Sequence, residues 1–154
     1  MTSKKEYFNQ RNSSLLKDNR SYAAKREVET IKFILETFFK YKITAGMNVL
    51  DLGSGDKFLK NELEERGMIY RDYDINDIDF ETDKFNDDDN KFDLVVSLAV
   101  IEHIKNPNLF LNECKRVLKK NSYLYLSTPN WKYSKDTFWD DPTHVKPYSE
   151  DSLK

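Results

Sequence analysis

The chain has 154 residues, which is enough for one domain with a buried core and small for a complete doubly wound enzyme. Its formal net charge is -2, and the strongly acidic stretch 51–110 argues against a protein that wraps nucleic acid, although residues 1–50 are basic overall. Cys114 is the single cysteine, so no disulfide forms within one chain, and we find neither a signal peptide nor an apolar run long enough to cross a membrane. These features predict a cytoplasmic protein.

The amino-terminal part is polar, and we assign residues 1–25 to an arm and residues 26–154 to the folded domain. From Arg26 to Lys42, apolar residues recur at steps of three and four positions, which predicts an amphipathic helix. The inward side of this helix consists of Val28, Ile31, Ile34, Leu35, Phe38, Phe39 and Tyr41.

An apolar run then breaks into a glycine turn at Gly53 and Gly55, which predicts strand, tight loop and helix. The loop does not match the sequence pattern of a phosphate-binding loop, because Phe58 stands where a third glycine is needed and no Gly-Lys-Ser/Thr follows. Asp51 and Asp56 add negative charge, which favours a ligand with a positively charged group. The alternative is a plain turn between strand and helix that binds nothing.

The next strand starts at Met68 and ends at Asp74, about 20 residues after the first glycine, where a carboxylate can meet a ribose lying over the loop. Residues 78–81 predict a short third strand, and we interpret Asp87, Asp88 and Asp89 as a solvated turn.

The run from Lys91 to Leu98 is apolar on both faces, as expected of a central parallel strand. Asn106 and Pro107 begin a further helix that includes Cys114 as a small core residue, and residues 123–128 form the fifth strand. Alternating strands and helices predict an α/β protein with a parallel sheet in the order 3-2-1-4-5.

Several pieces of the chain together resemble the class I S-adenosylmethionine-dependent methyltransferases, in particular the branch that acts on small molecules. The pieces are Val-Leu-Asp-Leu-Gly-Ser-Gly at 49–55, Asp74, Phe-Asp-Leu-Val-Val-Ser at 92–97, Ile-Glu-His at 101–103, Arg-Val-Leu-Lys at 116–119 and Ser-Thr-Pro-Asn at 127–130. Lys57 replaces the third glycine of the family's Gly-x-Gly-x-Gly. The resemblance implies a Rossmann-like three-layer sandwich.

It also implies that S-adenosylmethionine is the cofactor and that these residues contact it: Asp51, Gly53, Ser54, Gly55, Asp74, Asp83 and Leu98. Asp51 would lie near the ammonium, Asp74 would accept from the ribose hydroxyls, and Asp83 would accept from the adenine amino group.

Methyl transfer is an in-line displacement, so the protein mainly aligns donor and acceptor and excludes water. An oxygen or nitrogen acceptor must also lose a proton, and His103, just beyond the fourth strand, is the predicted catalytic base. The alternative is a histidine at a helix start that bonds a backbone carbonyl.

Some ubiquinone-pathway and small-RNA 2′-O-methyltransferases resemble this stretch but carry Glu-x-x-Glu-His for a divalent cation. Ala99 replaces their first glutamate, so Glu102, His103 and His144 form only a partial set, and we expect no metal.

The family usually has two more strands beside the fifth, and we expect strands 6 and 7 to be missing from this chain. The fifth strand would then have an exposed edge through which copies of the chain self-associate. We therefore expect a methyltransferase acting on an oxygen or nitrogen of a small-molecule or sugar-like acceptor, with no membrane or nucleic-acid partner. The alternatives are a cofactor-binding remnant that acts through protein contacts and a metal-assisted RNA 2′-O-methyltransferase.

Overall fold

The computed structural model describes Glu6 and residues 20–153, so most of the predicted arm lies outside the described residues. A sheet of four parallel strands forms the centre, in the order β2-β1-β3-β4. Its strands are β1 (Asn48–Leu52), β2 (Ile69–Tyr73), β3 (Phe92–Leu98) and β4 (Leu118–Ser127). The expected Rossmann-like α/β fold is confirmed.

The helices are α1 (Arg20–Phe38), α2 (Lys60–Glu65), α3 (Asn108–Val117) and α4 (Trp131–Ser134), with 3-10 turns at Ile101–His103 and Phe138–Asp140. Helix α1 begins six residues before the predicted start and stops before Lys42. It ends because Lys40 takes a left-handed φ of 56°, after which the N–H of Tyr41 bonds the carbonyl of Leu35.

Apolar side chains alternate between the two faces of the sheet and build a separate core on each. Val49 and Val96 pack with the buried side of α1, whereas Leu50 and Val95 pack with α3. Cys114 of α3 is buried in the second core, as predicted. Helices on both faces give the three layers, so that β1 and β3 are covered on both sides.

The predicted strand at residues 78–81 is wrong, because these residues form turns. The carboxylate of Asp79 accepts from the N–H of Glu81, and the N–H of Ile78 bonds the carbonyl of Asp74. Ile78 and Phe80 are apolar because they pack against the core beside α3. The backbone groups are therefore paired locally, and the crossover from β2 to β3 runs as a loop.

The solvated interpretation of the acidic loop is also wrong at its first residue. The side chain of Asp87 is only 1% exposed and accepts from the Tyr73 hydroxyl, Arg71 and Lys91. Burial alone would raise the pKa of this carboxyl, but the hydrogen bonds from Lys91, Tyr73 and Arg71 hold it below its ordinary value. Asp87 thus fastens the crossover to β2.

Strand β4 pairs only with β3 within the described residues, so its other side is an edge. Phe39 and Tyr41 pack their rings against Tyr123 near that edge. Self-association through β4 stays a prediction. In the part of the chain that the structure describes, no helix has the length and apolar character needed to span a membrane.

Candidate active site

The register of the sheet places the predicted cofactor residues side by side at one edge. Leu52 of β1 pairs with Tyr73 of β2 and with Ser97 of β3. The residues that follow, Gly53, Asp74 and Leu98, therefore form a row at the carboxyl ends of three adjacent strands. This edge is where parallel α/β sheets bind ligands.

The glycine loop, residues 53–57, is held against the end of β2. The N–H groups of Gly53 and Ser54 lie 2.8 and 3.3 Å from the carbonyl oxygen of Tyr73. Gly53, Gly55 and Lys57 all have left-handed backbones, with φ of 76°, 56° and 60°. Lys57 thus takes the conformation that favours glycine, at the position where the family motif has one.

Gly53 is required for a reason that the sequence did not reveal. A Cβ at this position would lie 2.2 Å from Cγ2 of Val100, which no packed structure tolerates without movement. A glycine in a loop after a strand lets a ligand approach the backbone closely. The structure shows that it also makes room for the side chain that follows β3.

Asp51 is buried directly beneath the loop, with an exposed fraction of 3%. Its Oδ2 accepts a hydrogen bond of 3.0 Å from the Tyr70 hydroxyl. Burial raises the pKa of Asp51 to about 7, with Asp72 and Asp74 adding to the rise against the effect of Tyr70. Within residues 20–153 this carboxylate has no ion pair, so the site fits a positively charged group.

Sequence reasoning missed Asp72, which organises the polar side of the loop. Its carboxylate accepts from Ser54 Oγ at 3.0 Å and from Lys57 Nζ at 2.9 Å. The predicted ligand residue Ser54 is therefore already bonded to β2. The signal was available, because Tyr70 and Asp72 stand two positions apart in β2 and so share one face.

The two other predicted carboxylates lie in turns beyond β2. The N–H of Asp74 donates to Asp77, which fixes the backbone of this residue at the row described above. Asp83 is exposed, and its carboxylate accepts from the N–H of Asp79 and the hydroxyl of Thr82. The roles of Asp74 and Asp83 toward a cofactor stay predictions.

His103 lies in the 3-10 turn after β3 and is 7% exposed. Its Nδ1 is 3.0 Å from the hydroxyl oxygen of Thr143, a residue from the segment that follows the second 3-10 turn. The backbone carbonyl of the preceding Glu102 accepts from the N–H groups of Val145 and Lys146 at 2.8 and 3.1 Å. Segment 141–146 is thereby fastened beside His103.

Glu102 itself is fully buried, and burial raises the pKa of its carboxyl despite a hydrogen bond of 2.9 Å from the Thr128 hydroxyl to Oε2. Its Oε1 and the hydroxyl of Tyr148 are buried without a hydrogen-bond partner among the described residues. Two buried polar atoms without a described partner therefore lie between β4 and the carboxyl-terminal segment.

Glu102, His103 and His144 each offer a ligand atom, and these atoms lie within 4.8 Å of one another. The sequence grouped the same three residues as a partial metal set, and the fold does bring them together. His144 also presents Nδ1 to the carbonyl of Phe138. Our expectation that the site works without a metal stays a prediction.

The chain is similar to known proteins over most of its length. Residues 22–154 match a family model described as a methyltransferase domain. The chain belongs to this family. The resemblance drawn from the motifs is thereby confirmed at the level of the family.

Curated relatives of this methyltransferase domain include two ubiquinone biosynthesis O-methyltransferases. The one from Pelagibacter ubique is 24% identical over 125 residues, which cover 65% of this chain and 52% of that protein. The one from Glaesserella parasuis is 40% identical over 43 residues, or 28% of this chain and 18% of that protein. The chain spans about half the length, or less, of the curated relatives it matches.

Solved structures share the fold of this domain. A SAM-dependent methyltransferase from Archaeoglobus fulgidus has a TM-score of 0.58 at 26% identity, over 81% of this chain and 64% of that one. A SAM-dependent methyltransferase from Aquifex aeolicus has a TM-score of 0.57 at 21% identity, over 84% of this chain and 83% of that one.

Proposed function

We propose that this chain binds S-adenosylmethionine at the glycine loop and transfers its methyl group to an oxygen or nitrogen of a small-molecule or sugar-like acceptor. One observation carries the proposal. A buried carboxylate, Asp51, lies beneath the loop of a methyltransferase domain, and no cation among the described residues neutralises it.

The ammonium of the cofactor's methionine part would provide that charge. An ionised carboxylate in a buried setting attracts a cation strongly, and its pKa of about 7 means that a modest stabilisation of the charged form suffices to ionise it. The Tyr70 hydroxyl already orients Oδ2 from the β2 side. Gly53 and Gly55 would present backbone rather than side chains to the same ligand.

The rest of the cofactor would extend along the row at the carboxyl edge. Asp74 follows β2 next to the loop, where its carboxylate would accept from both ribose hydroxyls. Leu98 ends β3 on the other side of Gly53 and offers an apolar surface. Asp83, in the turn after Asp79, would accept from the adenine amino group after exchanging one of its present donors.

When bound, the cofactor supplies an electrophilic methyl group on a positively charged sulfur. The sulfur leaves as part of a thioether. The chain's own residues have two tasks toward it, alignment and proton removal. We assign the second to His103, which would take the proton from the acceptor's hydroxyl or amine as that atom bonds the methyl carbon. The largely buried position of His103 limits the access of water to this step.

The relatives support an oxygen acceptor, since those from Pelagibacter ubique and Glaesserella parasuis carry the name of an O-methyltransferase. The segment that reaches His103, residues 131–148, carries two tryptophans, and Trp139 is 55% exposed. An exposed indole beside a buried polar site suits a flat or sugar-like acceptor.

Calorimetric titration with S-adenosylmethionine and with S-adenosylhomocysteine tests the cofactor assignment. We expect saturable binding of both ligands to the wild-type chain and at least about tenfold weaker binding to Asp51→Asn, since a charge-assisted hydrogen bond contributes about 1.5–3 kcal/mol. Asp136→Asn removes the same charge at an exposed position of another segment and should bind as the wild type does. Absence of saturable binding to the folded wild type would refute the proposed function.

A further inference from the structure

Thr143 connects His103 to a carboxylate that the sequence did not associate with it. The hydroxyl oxygen of Thr143 lies 3.0 Å from Nδ1 of His103 and within hydrogen-bond distance of Oδ1 of Asp141. The N–H of Thr143 donates to the same Oδ1 at 2.9 Å. Asp141, Thr143 and His103 therefore form a continuous chain of contacts.

The single hydroxyl proton of Thr143 determines the direction of these bonds. Burial alone would raise the pKa of Asp141, but the hydrogen bonds from Thr143 and the nearby His144 and His103 hold it below its ordinary value, so the carboxyl is ionised near neutral pH. An ionised carboxylate only accepts, which directs the hydroxyl proton toward Asp141. The hydroxyl oxygen is then left to accept, and the group that can donate to it is Nδ1–H of His103.

We propose that Asp141 and Thr143 are positioning residues that hold His103 in the tautomer with its proton on Nδ1 and its lone pair on Nε2. Nε2 is then the nitrogen that takes the proton from the methyl acceptor, a role that rests on the proposed function. Which ring nitrogen of a neutral histidine carries the proton is decided by the hydrogen bond at the other one. The pair thus sets the basic atom without touching the substrate.

The fold holds both ends of this chain of contacts in place. His103 sits in a 3-10 turn, and its own backbone N–H donates to the carbonyl of Val100 at 2.9 Å. Two and three residues past Thr143, the N–H groups of Val145 and Lys146 bond the carbonyl of Glu102, the neighbour of His103. The hydroxyl of Thr143 therefore faces the ring from a segment that is anchored to the same turn.

Nuclear magnetic resonance reads the tautomer directly and needs neither cofactor nor acceptor. The sequence contains two histidines, so a protein labelled with ¹⁵N-histidine gives two ring patterns, and His144→Gln identifies the one that belongs to His103. In wild type above neutral pH we expect the long-range proton–nitrogen spectrum of His103 to show Nδ1 protonated and Nε2 unprotonated. A ring with its proton on Nε2 would overturn the proposal without any variant.

Two substitutions of similar size separate positioning from packing. Thr143→Val keeps the shape but removes the hydroxyl, and we expect loss of the single-tautomer pattern in favour of a mixture. Thr143→Ser restores the hydroxyl and should restore the wild-type pattern, while Thr137→Val, at an exposed threonine of the same region, should change nothing. An unaltered His103 pattern in folded Thr143→Val would also overturn the proposal.

The cofactor titration described above is scored separately from the tautomer. If S-adenosylmethionine binds and the tautomer is the other one, the positioning role fails and the proposed function stands. If the tautomer is as expected and neither ligand binds, the proposed function fails, together with the role of Nε2 in catalysis, while the contact itself is upheld.

Discussion

Two buried aspartates of this chain have opposite electrostatic environments. Asp87, on the crossover between β2 and β3, is surrounded by Arg71, Lys91 and the Tyr73 hydroxyl, and its pKa lies below the ordinary value. Asp51, beneath the glycine loop, has the Tyr70 hydroxyl but no cation among the described residues, and its pKa rises to about 7. Both side chains are nearly inaccessible to solvent.

The difference separates a carboxylate that the described residues compensate from one that they leave uncompensated. Burying a charge costs free energy unless a partner compensates it. The chain supplies the partners of Asp87 itself, with Arg116 fastening the same loop through the carbonyls of Phe85 and Asp87. Among the described residues no cation does the same for Asp51.

The largest effect is expected at the loop above Asp51. Gly53→Ala should lower the free energy of unfolding by roughly 3–5 kcal/mol, because the new Cβ would meet Val100 and the backbone has a left-handed φ. Chemical denaturation followed by circular dichroism measures this loss.

Gly46→Ala is the matched control for Gly53→Ala. Gly46 also has a left-handed φ, of 82°, but a Cβ there meets nothing within 4 Å, so it should cost only the backbone strain of about 1–2 kcal/mol. Adding Val100→Ala should recover part of the loss in Gly53→Ala. Equal losses in the two glycine variants would show that Val100 is not the constraint.

Asp51→Asn should separate binding from stability. Cofactor affinity should fall by about 2–3 kcal/mol, because the ammonium loses a charged acceptor. The same variant without ligand should be more stable than wild type by roughly 2 kcal/mol above pH 7, because it removes an uncompensated buried charge while the amide oxygen still accepts from Tyr70. Calorimetry measures the affinity and chemical denaturation the free energy of unfolding. A fall in both for Asp51→Asn would contradict this prediction.

Asp87→Asn should show the reverse behaviour. It should destabilise the fold by about 1–2 kcal/mol, a modest figure because Arg71 and Lys91 are 44% and 40% exposed and solvent screens the pairs. Cofactor affinity should not change. Asp88→Asn, one residue away and exposed, is the control and should be neutral in both measurements.

The pH dependence of binding gives the smallest and most specific test. With a pKa of about 7 in the ligand-free protein, Asp51 is mostly ionised at pH 8 and mostly neutral at pH 6, so affinity should fall about tenfold on going from pH 8 to pH 6.

The stability of the ligand-free protein should move in the opposite direction. The pKa of Asp51 is higher in the folded state than the ordinary 3.8, so the folded state binds the proton more tightly, and the contribution of Asp51 to stability is lost as pH rises from about 4 to 7. Asp51→Asn should remove both dependences. A flat affinity profile in the wild-type chain would mean that Asp51 does not face the ammonium.

The sequence by itself determined the central strands, the helices that flank them and the row of residues at the carboxyl edge. These follow from local patterns, since runs such as Phe92–Leu98 and the glycines after β1 have one favourable conformation, and parallel register then aligns Gly53 with Asp74. The position of His103 just beyond a predicted strand made it the candidate base, a role that stays a prediction.

Only the tertiary structure decided which polar groups are compensated. Asp87 meets Arg71 from 16 positions away, Thr143 reaches His103 across 40, and Glu102 bonds Thr128 across 26. Buried aspartates are therefore compensated at the crossover but not, among the described residues, beneath the glycine loop. Residues 78–81 became turns because their backbone groups found partners locally. The state of a buried carboxylate depends on which distant side chains the packing brings within about 4 Å, and no local pattern in a single sequence encodes that distance.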